Sequence, residues 1–221
     1  MCYYADMESD RTKQLLNNLR ALYDDYQEEL LFHGWHHISF VTRKALEFAQ
    51  EFPAMNREYL EAAALTHDIN YIVDVTSGVD DGQILRAEQL RLVGFDETEI
   101  ALIEKTVHEA STENSGGNIS DAAKALSDGD KLFKVLPVGP MILSARYITE
   151  TKVDIRKWAD RIIRDQKPLL ENDVYFHTAL ARKKYLSWAR LNLDWVEQVR
   201  YSLDDPDVQL FLDDCRKLDY I

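Results

Sequence analysis

Histidine residues are concentrated in the first half of the chain, where they could bind a metal ion or transfer protons. One of them is followed directly by an aspartate at the end of an apolar segment, as His67-Asp68. A charged aspartate there is costly unless it meets a cation or a hydrogen-bond donor. Adjacent helical side chains point about 100° apart, so this pair can reach one point only at a helix end. A metal ion beyond the helix terminus suits that geometry.

Two further residues could complete such a site from other helices. His37 opens the helix that precedes the His67-Asp68 pair, and Asp130 lies in a later one. Two imidazoles and two carboxylates favour Mn, Fe, Co, Ni or Zn over Ca, which prefers oxygen ligands alone. The alternative is that each histidine is an ordinary core residue, and that Asp128 or Asp130 caps a helix or pairs with Lys131.

Three ordered segments carry a family resemblance. They read HGWHHISFV, ALTHDI and SDGDKL, and span His33–Val41, Ala64–Ile69 and Ser127–Leu132. Their order, spacing and flanking apolar residues resemble the H…HD…D signature of HD-domain metal-dependent phosphohydrolases. Segments around Leu90–Phe95, Ile103–His108 and Phe176–Arg182 resemble other parts of that family, so the resemblance covers most of residues 30–190.

The resemblance implies an all-α HD-type helical bundle and one divalent transition metal. The implied ligands are His37, His67, Asp68 and Asp130, with Asp128 the less favoured choice for the last position. Members with two metals insert further histidines between the HD pair and the last aspartate, whereas this chain has His108 alone. One metal and hydrolysis of a phosphoester or phosphoanhydride are therefore favoured over oxygen chemistry.

Catalytic roles follow from charge. Asp68 belongs to the metal site, His108 could donate a proton to the leaving group or pair with phosphate oxygen, and Lys131 could bind phosphate. For His108, a helix C-terminal histidine stabilised by the helix dipole is an equal alternative. For Lys134 we favour solvated surface charge, and for His33 an exposed loop position.

Arg43 is treated as surface charge in the same way. Several members of the family place a basic residue where this chain has Phe40, so no phosphate contact is expected at that position.

The elements that position these residues read as helices. Apolar residues recur at helical spacing, with Gly34, Pro53 and Pro137 as interruptions or ends and with Asp96 and Glu99 as a capping box. We read 71–81 as a loop. The predicted helices span about 11–31, 38–49, 57–68, 82–92, 97–109, 120–136, 153–164, 173–200 and 206–217.

We treat 1–221 as a single all-α domain, with an HD core at about 30–140 and a C-terminal helical extension at about 141–221. The net charge of −13 disfavours duplex nucleic acid and anionic membranes as partners. Cys2 and Cys215 form no disulfide framework, and 1–10 has no apolar signal segment, so a cytoplasmic location is expected.

The favoured function is hydrolysis of a small phosphorylated molecule, with a nucleotide as the preferred class. The alternatives are a non-catalytic HD module that binds a nucleotide and a diiron HD-type oxygenase, in which Glu109 or Glu113 could complete a second metal site. The long amphipathic C-terminal helices are compatible with a homodimer, and equally with packing inside one subunit.

Overall fold

The structure, a computed structural model, describes residues 9–111, 114 and 117–218. Within these ranges the chain forms helices and turns and no β-strand, which confirms the all-α prediction. In chain order the α-helices are α1 (Asp10–Asp25), α2 (Trp35–Phe48), α3 (Arg57–Thr66), α4 (Asn70–Val73), α5 (Gln83–Leu92), α6 (Glu97–Ala110), α7 (Asp121–Lys134), α8 (Gly139–Ile142), α9 (Ser144–Thr151), α10 (Ile155–Glu171), α11 (Ala179–Ser202) and α12 (Pro206–Lys217).

The helix starts follow the side-chain capping that the sequence indicates. The Asp96 carboxylate accepts the backbone N–H groups of Thr98 and Glu99, and the Glu99 carboxylate accepts the N–H of Asp96. Ser120 caps α7 by accepting the N–H of Ala123. These contacts pair backbone donors that the first turn of a helix leaves free.

Several expectations about elements are wrong. The helix predicted at about 173–200 begins only at Ala179, the one predicted at about 153–164 continues to Glu171, and α8 and α9 were not predicted. The first helix ends at Asp25 rather than near residue 31, because its last turn carries no basic residue to offset the helix dipole and Asp24 is followed by further acidic side chains. The segment read as a loop at 71–81 contains part of α4 and a 3-10 turn at Val79–Gly82. There the Asn70 side chain bonds Ser77 and holds the connection against α4.

The core lies where α2 meets α3 and α7. Gly129 makes the close approach of α7 to α2 possible, since a Cβ there would lie 3.0 Å from the Val41 carbonyl oxygen and 3.1 Å from the Ala45 nitrogen. The backbones of α2 and α7, which carry His37 and Asp130, are therefore in close contact.

The C-terminal third contributes to the same core through Tyr175 and Phe176, and has a small cluster of its own around Trp158 where α10 packs on α11. The division into an HD core and an extension stays a prediction. No helix in the described ranges combines the length and the apolar character that crossing a membrane requires. Cys2 lies outside the described residues, and Cys215 is a free thiol.

Candidate metal centre

The end of α3 presents the first histidine of the centre. His67 is the C-cap residue, and its Nδ1 lies 2.8 Å from the Ala64 carbonyl oxygen. Because a carbonyl can only accept, Nδ1 carries the hydrogen and Nε2 is left with a lone pair. That is the tautomer a metal-binding imidazole needs when its other nitrogen is held by the protein.

Arg86 holds this helix end in place. Its guanidinium is buried and donates to the Thr66 carbonyl at 3.0 Å, with further contacts to the carbonyls of His67 and Val79. Glu104 on α6 balances its charge. Arg86 therefore pairs carbonyls that the C-terminus of α3 leaves free.

His37 lies in the first turn of α2, which begins after Gly34. A Cβ at Gly34 would lie 2.5 Å from the Leu30 carbonyl oxygen, so this position requires glycine. Its side chain is fully buried. His37 Nε2 lies 3.1 Å from His67 Nε2 and 2.9 Å from Asp68 Oδ2. The ligand atoms of these three residues all lie within 4.8 Å of one another, and in the described part of the chain they form the one such group.

Asp130 on α7 completes the wall facing the histidines. Its Oδ1 lies 3.6 Å from His37 Nε2, and its Oδ2 lies 2.6 Å from the ammonium of Lys134. The preference for Lys134 as solvated surface charge is therefore wrong, because one helical turn brings it onto this carboxylate.

The electrostatics of the centre favour ionised carboxylates. Burial acts to raise the pKa of Asp68, but the imidazoles of His67 and His37 hold it well below its usual range. Burial also acts to raise the pKa of Asp130, and Lys134 outweighs it and lowers that pKa. Two neighbouring carboxylates that stay charged provide a strong attraction for a cation.

The donor set fits a metal ion. Two imidazole nitrogens and two carboxylate oxygens suit a divalent transition metal. In the described residues, His37 Nδ1 and Asp130 Oδ1 are buried without a hydrogen-bond partner, and an unpaired buried carboxylate oxygen is costly. An ion coordinated by Asp130 Oδ1 would remove that cost.

Asp128 has a different task, which agrees with its lower rank as a ligand. Its carboxylate accepts the N–H groups of His177 and Thr178 and the Thr178 hydroxyl, at 2.7–2.8 Å. It thus anchors the start of α11 on α7.

A cavity of about 500 Å³ opens onto the centre and is lined by His67, Asp68 and Asp130. His108 lies at its exposed edge, with Nδ1 3.3 Å from Asp80 Oδ1. The structure therefore brings His108 to the same cavity as three of the four proposed ligands.

Lys131 is not on that cavity. Its buried ammonium lies 3.5 Å from His177 Nε2 and lines a neighbouring cavity. Burial lowers the pKa of Lys131 to about 8.

His33 is buried, so the expectation of an exposed loop histidine is wrong. Its ring stacks on Tyr71 at 3.6 Å between centroids, and its Nδ1 contacts the Glu150 carboxylate. Glu150 also accepts the backbone N–H of Phe32 at 2.6 Å. His36 and Arg43 are exposed.

Sequence reasoning missed Arg86, Glu150 and Arg161. Arg86 shares the buried face of α5 with Ala87 and Leu90, so an arginine at an apolar position was a usable signal. Glu150 and Arg161 are recognisable only from the packing of helices distant in sequence. Glu109 accepts the Ser120 N–H, and Glu113 lies outside the described residues.

Comparison with known proteins adds evidence on the fold. The structure matches a crystal structure of an HD-superfamily hydrolase from Bacillus thuringiensis with a TM-score of 0.52, over 93% of this chain and 98% of that chain, at 16% sequence identity. The chain has the HD-superfamily fold. No protein-family model matches the sequence, and no curated protein does.

The HD-superfamily fold and the local geometry agree. The signature segments lie on α2, at the end of α3 and on α7, and the fold brings His37, His67 and Asp68 together. At 16% identity the match concerns the fold.

Proposed function

We propose that this chain is a metal-dependent phosphohydrolase that cleaves a phosphoester or phosphoanhydride of a small molecule, with a nucleotide as the preferred class. One observation carries the proposal. The close group of His37, His67 and Asp68 opens, beside Asp130, onto a cavity that also contains cationic side chains. This pairing of metal ligands with nearby cations suits a phosphoryl substrate.

His37, His67, Asp68 and Asp130 would hold the metal. When bound, a divalent metal supplies Lewis-acid polarisation of phosphoryl oxygen and lowers the pKa of bound water. The His67 hydrogen bond to Ala64 fixes which nitrogen is available, and Arg86 fixes the helix end that carries it.

Lys134 and Arg161 would bind the phosphoryl oxygens. An ammonium has three donors, and Lys134 uses one of them on Asp130, so two remain. Arg161 lines the same cavity and donates to the Tyr147 hydroxyl at 3.0 Å, which holds its guanidinium. In a chain with net charge −13, these cations provide the local positive field that an anionic substrate requires.

His108 would donate a proton to the leaving group. Its Nδ1 lies 3.3 Å from Asp80 Oδ1, a contact that orients the ring. The exposed edge of the cavity is where a leaving group can depart into solvent.

Phosphate release tests the proposal. The chain loaded with Mn or Co is assayed on a broad panel of phosphoesters and nucleotides, beside His67→Ala and Asp130→Ala. We expect release by the parent protein and loss of it in both variants. Metal binding without turnover on the whole panel would reject the proposal in favour of a nucleotide-binding module. Two irons per chain with oxygen consumption would reject it in favour of an oxygenase.

A further inference from the structure

A second cavity of about 560 Å³ adjoins the candidate metal centre. It shares Tyr71, Lys134 and Arg161 with the cavity that contains the proposed ligands. Lys134 contacts Asp130 as well. A molecule with its phosphoryl group at the centre could therefore extend past Lys134 into the second cavity, which has the size of a small-ligand site.

Aromatic side chains form much of the wall of this second cavity. They come from the segment before α2, from α4, from α9, from α10 and from the turn before α11. The residues are Phe32, Tyr71, Tyr147, Trp158 and Tyr175, together with Phe133 on α7. The rings of Phe32 and Tyr147 pack edge to face, with centroids 5.0 Å apart. Walls of this kind favour a flat aromatic ligand, which stacks on ring faces.

Two buried amides lie on the same wall. The Asn192 amide on α11 donates to the Gln166 carbonyl oxygen on α10 at 3.3 Å. Among the described residues this is the only hydrogen bond that either side chain makes. Each amide has both donors and an acceptor, so the Gln166 nitrogen and the Asn192 oxygen remain available to a ligand. Both residues line the cavity, so a ligand with a complementary edge can pair with these two atoms.

Lys131 adds a third polar group to this wall. It is 3% exposed, and its one hydrogen-bond contact in the described chain is the long one to His177. Its remaining N–H donors can bond a ring nitrogen or a carbonyl of a ligand.

We infer that the second cavity binds a planar heteroaromatic ring of the substrate, of the nucleobase type, and that Gln166 and Asn192 select the ring by its hydrogen-bonding edge. The inference rests on the proposed phosphohydrolase function, because it places the phosphoryl group of the same molecule at the metal centre. Gln166 and Asn192 are then specificity-determining residues some distance from the reacting atoms.

Ring binding is tested first without a phosphoryl group. Calorimetry on the Mn-loaded chain compares adenosine, guanosine, cytidine and uridine with ribose. We expect at least one nucleoside to bind and ribose not to bind. Gln166→Leu and Asn192→Leu should each weaken that binding about tenfold. Each substitution removes a neutral hydrogen bond to the ring and leaves the ring atom without a partner. Gln50→Leu, at an exposed glutamine of the short helical turn after α2, is the matched control and should not change it.

Turnover is tested next with pairs of substrates of which only one member carries the ring. Nucleoside 5′-monophosphates are compared with ribose 5-phosphate, and nucleoside triphosphates with tripolyphosphate. We expect Gln166→Leu to raise KM for the ring-containing member and to leave the ring-free member unchanged. If the Leu variants fail to fold, Gln166→Glu provides the test. It keeps an acceptor for Asn192 and replaces a donor, so it should change the order of preference among the four nucleosides.

The outcomes separate the two proposals. Equal binding of ribose and nucleosides, equal effects of Gln166→Leu and Gln50→Leu, or an unchanged nucleoside order in Gln166→Glu would overturn the ring site. Phosphate release at rates independent of the ring would overturn it and leave the phosphohydrolase function standing. Nucleoside binding that depends on Gln166, without phosphate release from any compound, would support the ring site and reject the phosphohydrolase function.

Discussion

Asp128 and Asp130 lie two positions apart on α7 and serve different parts of the molecule. Asp128 accepts three hydrogen bonds at the start of α11, whereas Asp130 faces His37 and Lys134. Side chains two positions apart on a helix point in different directions. One short segment can therefore anchor the C-terminal helices through Asp128 and place Asp130 at the centre.

This division predicts effects of different size from two similar substitutions. Asp128→Ala should lower the free energy of unfolding by about 3 kcal/mol, because three hydrogen bonds to a buried carboxylate are lost. Asp130→Ala should change the stability of the metal-free protein by about 1 kcal/mol or less, because loss of the Lys134 ion pair is offset by reduced repulsion with Asp68. Urea unfolding of both variants without metal checks this, and a larger loss in Asp130→Ala would contradict it.

Metal content should depend on the ligand histidines and not on their exposed neighbour. His67→Ala should weaken binding of Mn or Co by at least about a hundredfold, because it removes a direct ligand. Metal analysis after dialysis gives the ratio of ion to chain. The control is His36→Ala, an exposed histidine beside the ligand His37, which should keep the parent content. Equal losses in both variants would refute the site.

Arg86→Leu should affect both stability and metal affinity. Removing a buried guanidinium that pairs three carbonyls and Glu104 should cost about 3 kcal/mol. It should also weaken metal binding by about 10-fold to 100-fold, because the end of α3 that carries His67 is no longer held. Arg91→Leu is the control on the same helix, since Arg91 is exposed and should change stability by less than about 0.5 kcal/mol. Calorimetric melting and metal titration provide the two readouts.

Gly129→Ala should separate α2 from α7. The added Cβ meets backbone atoms of Val41 and Ala45 at 3.0–3.1 Å, and backbone cannot rotate away. We expect a net loss of about 1–2 kcal/mol, after the gain of up to about 1 kcal/mol in helix propensity. In Gly139→Ala, the control, the nearest atoms lie at 3.9 Å, an ordinary contact distance. A Gly129→Ala variant more stable than the parent would contradict the close packing.

His177 should make stability depend on pH. Burial, with Lys131 next in effect, lowers the pKa of His177 from 6.5 to about 4. Between these two pKa values the unfolded chain binds more protons than the folded chain. The contribution of His177 to the free energy of unfolding is therefore fully present above about pH 6.5 and is lost as the pH drops towards 4. Because the ring is partly exposed, the loss is about 1–2 kcal/mol. His177→Gln should show a shallower decline over the same range in urea unfolding, and identical slopes would contradict the prediction.

The local parts of this structure were predictable and the long-range parts were not. The HD pair, the capping box at Asp96 and the helical periods are short-range signals, and the helix at Pro206–Lys217 begins and ends where the periodicity and flanking residues indicate. The end of α1 was misplaced because charge at a helix terminus outweighed apolar spacing.

The remaining features depend on which helices pack together. The burial of His33 follows from its contact with Glu150, more than a hundred residues later in the chain. The same holds for Arg161, which reaches both cavities from α10. No periodicity in either segment specifies such a partner.

The contact of Glu150 with Phe32 and His33 has a consequence for shortened forms of the protein. All four proposed ligands precede residue 131, yet a fragment ending there would lack the acceptor for two backbone amides just ahead of α2. The backbone N–H groups of Phe32 and His33, in the segment that orients His37, would then donate hydrogen bonds to water instead of to Glu150. The ligand-bearing half and the C-terminal half are thus expected to fail together when the chain is cut between them.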